Sequence, residues 1–404
     1  MSDKKSSNTI WTVPFISIFV VNLVSQMGQY MMNTLIPRYA DFLGAGAVAV
    51  GTVATIFAVT ALGTRPIIGP AIDNFNKKWL LMLSVGITAI AFVIYGLSQN
   101  VALLIVGRLI HGIGIGLEGP LALAVAGECL SEKKMSAGIG YFGLGNAVAT
   151  ALGPSIGLSL SESIGYRASF FIGASVVFIA CLLSLTLKNS PQSACGKEFR
   201  INMRNILAKE AFVPALMILF LSIAYSSISS YLTIYGSARG IGQIGMFFTA
   251  NAFALLLSRP FSGFLADKYG SASVLFPCFI MFSAAFILIS YSYTMPMFVI
   301  SGVITALGFG TIIPITQAMG MRLVPIERRG VMANTIYTGM DVGFLLGGPL
   351  VGFVCESVQK ATGDNIFGYS VMFRTMIIPV AIGAAIYFFS LKKERAARKL
   401  KLSQ

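Results

Sequence analysis

Thr64-Arg65-Pro66-Ile67-Ile68-Gly69-Pro70-Ala71-Ile72-Asp73-Asn74-Phe75-Asn76 is answered later in the same chain by Ser258-Arg259-Pro260-Phe261-Ser262-Gly263-Phe264-Leu265-Ala266-Asp267-Lys268-Tyr269-Gly270. Arg, Pro, Gly and Asp each recur about 194 positions on, a single long-period repeat. The same offset carries Gly114, Gly116 and Pro120 onto Gly308, Gly310 and Pro314. One residue more carries Gly153-Pro154 onto Gly348-Pro349. A chain that repeats itself once in this way is built as two similar halves. In a hydrophobic chain of this length such halves face each other across a central site.

Composition decides the solvent. Hydrophobic residues make up 56% of the chain and charged residues 11%, whereas a soluble domain carries about a quarter charged residues. The mean hydropathy is +0.80. Twelve apolar runs lie near 11–37, 46–72, 79–97, 101–129, 138–160, 166–188, 211–236, 244–266, 272–291, 295–322, 331–356 and 371–391. Each is long enough to cross a hydrocarbon core of about 30 Å as a helix. Unpaired backbone groups are not tolerated in lipid, which excludes open strands, and the runs lack the alternation of a β-barrel. The expectation is an all-α membrane protein with twelve transmembrane helices in two pseudo-symmetric halves. Residues 1–188 form the first, 189–210 a cytoplasmic linker, and 211–404 the second with a basic tail.

The net charge of +14 suggests nucleic acid until its distribution is examined. With the amino terminus inside, about 21 of the 29 Lys and Arg fall in cytoplasmic segments, including Lys77, Lys78, Lys133, Lys134, Arg328, Arg329 and the Lys392–Lys401 tail. That bias fixes orientation, so both termini are expected in the cytoplasm of a multi-pass cell-membrane protein, with no nucleic-acid partner. The first apolar run exceeds a signal-peptide core and has no cleavage site after it. Cys129, Cys181, Cys195, Cys278 and Cys355 show no C-x-x-C spacing, and His111 is the single histidine, so neither metal centre nor disulfide framework is expected. No phosphate loop and no nucleophile–base set is present, so no cofactor and no enzymatic activity is expected. Between the halves, Asn189–Glu210 carries Lys197, Arg200, Arg204 and Lys209 beside Phe199, Met203, Ile206 and Leu207 at helical spacing. This reads either as an amphipathic helix on the inner membrane face or as a flexible linker.

Three motifs resemble the major facilitator superfamily, and within it the bacterial drug:proton antiporter and sugar-efflux-like branch. The first follows the second run: Gly69, Asp73, Lys77 and Lys78 match the pattern G-x-L-A-D-R-x-G-R-K, while Pro70, Ile72 and Asn76 depart from it. Gly263 to Gly270 is closer but lacks the trailing basic pair. The resemblance implies that Asp73 meets the start of the eleventh helix near Val331, and Asp267 the fifth helix. Each would latch the cytoplasmic face through a helix dipole. Lys77, Arg65 and Arg259 join them as candidate gate or packing residues. The second is Arg108-Leu109-Ile110-His111-Gly112-Ile113-Gly114, matching R-x-x-x-G-x-G. An arginine inside a helix is costly in lipid and needs a partner, unless it snorkels to the outer surface; the resemblance implies that it is buried. The third, Gly153-Pro154-Ser155-Ile156-Gly157 after Gly140, resembles in part a glycine-rich motif linked to antiporters. Ala149 and Leu158 replace two of its glycines. Its small residues favour close helix approach and its proline a bend.

Two carboxylates sit deep in apolar runs. Asp341 is about 15 Å along the eleventh helix from Val331, and Glu118 stands a similar distance from the inner end of the fourth. A carboxylate there is driven toward neutrality unless a cation joins it, so it can cycle with a proton; the alternative is a fixed packing bond. By the repeat, Asp341 answers Asn146 and Glu118 answers Ile312, so each acid occurs in one half only. Arg108 and His111 complete the candidate proton-coupling set. His111 and Glu118 share a helix face but stand about 10 Å apart.

For a solute, the first run offers Asn22, Gln26, Gln29, Tyr30 and Asn33, and Asn146 lies in the fifth. The second half offers Tyr225, Ser226, Ser229 and Tyr231, then Asn251, Gln317, Asn334 and Tyr337. An aromatic and amide lining suits an amphiphilic organic solute. The resemblance implies a secondary transporter, acting as a monomer, that moves a small organic solute by alternating access with proton-coupled efflux. Proton-coupled uptake is the alternative, and a transporter-like sensor a more distant one.

Overall fold

The computed structural model describes residues 9–45, 53, 56–187, 206–241 and 244–402, with side chains through 391. Cys195 and the expected amphipathic segment from Asn189 through Arg204 lie outside the described residues, as do the side chains of the Lys392–Lys401 tail. Among the described residues the structure is helical, without strands. The helices of the first half of the sequence are α1 (Val13–Phe42), α2 (Phe57–Asn74), α3 (Lys77–Leu97), α4 (Val101–Glu128), α5 (Met135–Ile164) and α6 (Tyr166–Leu183). The second half supplies α7 (Phe212–Ala238), α8 (Gly245–Tyr269), α9 (Ser271–Ser290), α10 (Met295–Thr305), α11 (Thr311–Leu323), α12 (Arg329–Thr362), α13 (Asn365–Thr375) and α14 (Ile377–Leu402). Among the described residues, every apolar run coincides with helix. The tenth run is α10 and α11, joined through a wide i→i+5 turn at Ala306–Gly310; the twelfth is α13 and α14, interrupted at Met376. Among the described residues, nine helical segments are long and apolar enough to cross a membrane by length and composition.

Local chemistry sets the ends. Asn76 caps α3 by accepting from Lys78 N (3.0 Å), and Asn100 caps α4 by accepting from Leu103 N (2.9 Å). Gly165 and Gly270, at φ of 82° and 89°, make the abrupt joins between α5 and α6 and between α8 and α9, a conformation that costs a side-chain-bearing residue.

The chain divides into two compact units: residues 1–208 with 324–335, and residues 209–323 with 336–404. The opening turns of α12 thus belong with the first unit, although they follow α11 in sequence. In that unit α4 is clamped on two sides. A Cβ on Gly116 would lie 2.9 Å from Ala61 O on α2, and one on Gly114 would lie 3.1 Å from Ser84 O on α3. The glycine run after Arg108 is therefore what lets α4 sit between two neighbours. Gly153 packs α5 onto α1 in the same way, 2.8 Å from Tyr30 Cβ to an ideal Cβ.

The second unit corrects the register of the repeat. α12 lies against α7 through Gly339, Gly343 and Gly347; a Cβ on Gly347 would stand 2.8 Å from Ser226 Cβ, while nothing lies within 4 Å of one on Gly348. The equivalent of Gly153 is therefore Gly347, not Gly348. Counting from that contact, Gly145, Ala149 and Gly153 match Gly339, Gly343 and Gly347, the same offset as elsewhere in the chain. Asp341 then corresponds to Ala147, and the pairing of Asp341 with Asn146 falls. The reason is steric: the residue that touches the neighbouring helix must be small, whereas the proline beside it can shift by one place.

Candidate functional site

The first unit assembles its polar residues along α4. Glu118 is buried, and Gln29 Nε2 of α1 donates to its Oε2 at 2.9 Å. No cation joins it among the described residues. About two turns down α1, Asn22 Nδ2 donates to Asn146 Oδ1 of α5 at 3.4 Å. Asn22 and Gln29 are buried, while Gln26, Tyr30 and Asn146 are half-buried. The seam between α1, α4 and α5 therefore holds one carboxylate among amides.

About three turns toward the start of α4 the chemistry changes sign. Arg108 is 1% exposed, so it does not snorkel. Its Nε donates to Val53 O (2.8 Å) and its Nη1 to Asn33 Oδ1 (3.1 Å), with the Phe57 ring 4.6 Å from its guanidinium carbon. A planar fork with several directed donors suits those separate acceptors. His111 is fully buried, edge-on to Phe92 at 4.9 Å, and a 3.0 Å hydrogen bond joins its Nδ1 to Tyr95 Oη. Its hydrogen-bond partner is thus Tyr95 and not Glu118. Nothing in the sequence pairs Asn33 with Arg108 or Tyr95 with His111; only the packing of α1 and α3 brings them to α4.

At the other end of α4 the repeated motif builds a charged cluster. The Asp73 carboxylate lies against the backbone of Gly330 and Val331, in the opening turns of α12. Lys77 is buried and forms an ion pair with Glu128 Oε1 at 3.0 Å. Arg329 Nη1 donates to Gly127 O at 2.6 Å. Arg65, also buried, donates from Nη1 to Gly116 O at 2.9 Å, and its own carbonyl accepts from Asn334 Nδ2 at 2.9 Å. Asn334 therefore lies in this cluster.

The second unit carries the other copy. Asp267 of α8 forms a close ion pair with Arg322 of α11. Arg322 occupies the position that Glu128 holds in the first copy, so the repeat inverts the sign of one charge. That inversion is readable in the sequence, and within each unit the residue at this position pairs with a charge of the motif: Glu128 with Lys77, Arg322 with Asp267. Arg259 is half-buried. Tyr225 stacks on Phe309 (centroids 4.2 Å apart), within the wide turn between α10 and α11. Asn251 is buried and donates from Nδ2 to Gly302 O at 3.0 Å, so its amide is engaged in α8–α10 packing. Gln317, Tyr337 and Asp341 are half-buried, Ser229 is exposed, and Pro154 in the first unit is half-buried beside Gly153.

A sequence model of the Major Facilitator Superfamily matches residues 18–243 and 240–404, which is nearly the whole chain. The chain belongs to this superfamily. It is similar to the multi-drug resistance efflux pump PmrA of Streptococcus pneumoniae, 25% identical over 398 residues, covering 94% of this chain and 96% of that protein. It is 23% identical over 363 residues to the staphylopine export protein of Staphylococcus aureus, covering 85% of this chain and 90% of the relative. Among solved structures, the major facilitator transporter FucP superposes with a TM-score of 0.74 at 13% identity, over 93% of this chain and 99% of that one. The human organic anion transporter MFSD10 does so with a TM-score of 0.73 at 15% identity, over 91% and 99%. This member of the superfamily is accordingly a multi-pass membrane transporter with twelve helices in two halves.

Proposed function

We propose that this major facilitator exports a small organic solute in exchange for protons by alternating access, and that Glu118 carries the proton. The observation that carries the reading is the placement of Glu118: inside the membrane, buried, held by the neutral amide of Gln29, with no cation beside it among the described residues. A carboxylate so placed is costly as an anion and comfortable as an acid, so it binds and releases a proton as its access to water changes. Its counterpart Ile312 is apolar and equally buried, which makes the acid dispensable for packing at that point of the fold. Export as the direction is supported by relatives named for efflux and export.

In this reading Asn22, Gln26, Tyr30 and Asn146 of the first unit, with Tyr225, Ser229, Gln317 and Tyr337 of the second, supply solute contacts. Gln29 reports solute or water to Glu118. Asp341 is a second acid whose titration is coupled to transport, while Arg108 and His111 position α4. Asp73 with Lys77, and Asp267 with Arg322, bias the cytoplasmic gate. Protein reconstituted in vesicles of the cell-membrane type, screened for proton movement elicited by candidate solutes, tests the proposal. Solute-dependent proton flux that disappears in Glu118→Gln supports it; solute movement with no proton flux in the wild type removes it.

A further inference from the structure

Two arginines of the second unit have no carboxylate partner among the described residues, and two serines and a tyrosine link them. Arg239, at the end of α7, donates from Nε to Tyr235 Oη at 2.8 Å and from Nη2 to Ser370 Oγ at 3.1 Å. Arg374, in the last turn of α13, donates from Nε to Ser290 Oγ at 3.3 Å. Tyr235 Oη donates to Ser290 O at 2.9 Å, so a short run of hydroxyls ties both guanidinium groups to the end of α9. Each guanidinium also lies over a ring: Arg239 is 4.0 Å from the Tyr293 centroid and Arg374 is 4.4 Å from that of Tyr291. The acids nearest in sequence are engaged elsewhere. Glu356 pairs with Lys360, and Asp364 caps α13 by accepting from Phe367 N. A guanidinium has five N–H donors, and these contacts leave most of them available.

Their level in the membrane follows from what lies beside them. Ile280, Ile287 and Tyr291 succeed one another at helical spacing on one exposed face of α9, and Ile378, four residues after Arg374, is exposed as well. Exposed aliphatic side chains on a membrane helix face acyl chains, and a tyrosine with an arginine at the end of such a stripe marks the headgroup level. The charge bias of the chain assigns this end of the unit to the outside, where basic residues are scarce. Two arginines without acids at one spot there call for an anion.

We propose that Arg239 and Arg374 form a binding site for the phosphate of an anionic phospholipid in the outer leaflet, with its acyl chains along the exposed stripe of α9 and α14. The fork of an arginine matches two phosphate oxygens at once, and the tyrosine faces hold both forks in place. A phospholipid with a zwitterionic headgroup brings its own cation, which competes for the phosphate. The site thus selects a net negative headgroup.

The full chain, purified in a neutral detergent, is incubated with mixed micelles of phosphatidylglycerol, with phosphatidylcholine micelles, or with inorganic phosphate alone. The readouts are the thermal unfolding midpoint and the lipid retained after washing, measured by mass spectrometry. The expected result is a midpoint raised by phosphatidylglycerol only, and phosphatidylglycerol retention about tenfold weaker in the R239Q/R374Q double variant, as befits lost charge-assisted bonds. R239K/R374K keeps the charges without the forks and retains an intermediate amount. Equal retention by wild type and R239Q/R374Q overturns the proposal, and so does a midpoint shift reproduced by inorganic phosphate. Should R239Q/R374Q fail to fold, the lysine pair decides: retention equal to that of wild type overturns the site.

Discussion

In the proposed mechanism, replacing Glu118 by Gln removes the proton carrier and little else. Gln29 Nε2 donates to Glu118 Oε2 at 2.9 Å, and a Gln at 118 offers a carbonyl oxygen on the same side-chain length, so that bond is retained. Stability should change by less than about 1 kcal/mol, the range of a single neutral hydrogen bond. Glu118→Leu is the contrasting variant: it strands the buried amide of Gln29 at a cost of about 1–3 kcal/mol. The functional effect is larger and separable. One pH unit across the membrane is worth about 1.36 kcal/mol per proton, so exchange of one proton per solute sustains about a tenfold gradient. In proteoliposomes carrying a one-unit pH gradient, wild type should approach that ratio and Glu118→Gln should stay near unity. Solute exchange in the absence of a gradient should survive. A Glu118→Gln protein that still builds the tenfold ratio would refute the reasoning and move the coupling to Asp341, for which Asp341→Asn is the parallel measurement.

Gly347→Ala should destabilise the protein by about 1–3 kcal/mol through overpacking against Ser226, whereas Gly348→Ala should be close to neutral; thermal unfolding in detergent separates them, and equal effects would restore the Gly153–Gly348 register. Glu128→Gln leaves Lys77 charged and buried without its partner, a loss of about 3–5 kcal/mol read in the same assay, and wild-type stability there would exclude a structural ion pair. Asp73→Asn weakens a charge–dipole contact of about 0.3–2 kcal/mol at the start of α12, and should shift labelling of a cysteine placed near Gly330; unchanged labelling leaves Asp73 with a topological role only. Arg108→Lys keeps the charge but cannot reach both Val53 O and Asn33 Oδ1, so folded protein with poor transport is expected, and full turnover would count against positioning by the fork.

The sequence by itself determined the fold, because the forces that choose it are local and periodic. Lipid admits only helices with internally paired backbones, so the apolar runs mark the helices, and the 194-residue repeat predicts two similar halves. The buried acid and the buried arginine were legible for the same reason, since a charge inside an apolar run needs no alignment to stand out. Tertiary structure decided which side chain each of them meets. Asn33 and Val53 reach Arg108, Tyr95 reaches His111, and Gln29 reaches Glu118, all from other helices and without a spacing rule connecting them. It also decided the register: the Gly-Pro pairs aligned Asp341 with Asn146, but steric contact of Gly347 with α7 moved the match to Ala147. The sequence carries periodicity and charge along the chain; distances between side chains on different helices arise only when the helices pack, and the chemistry of the site depends on those distances.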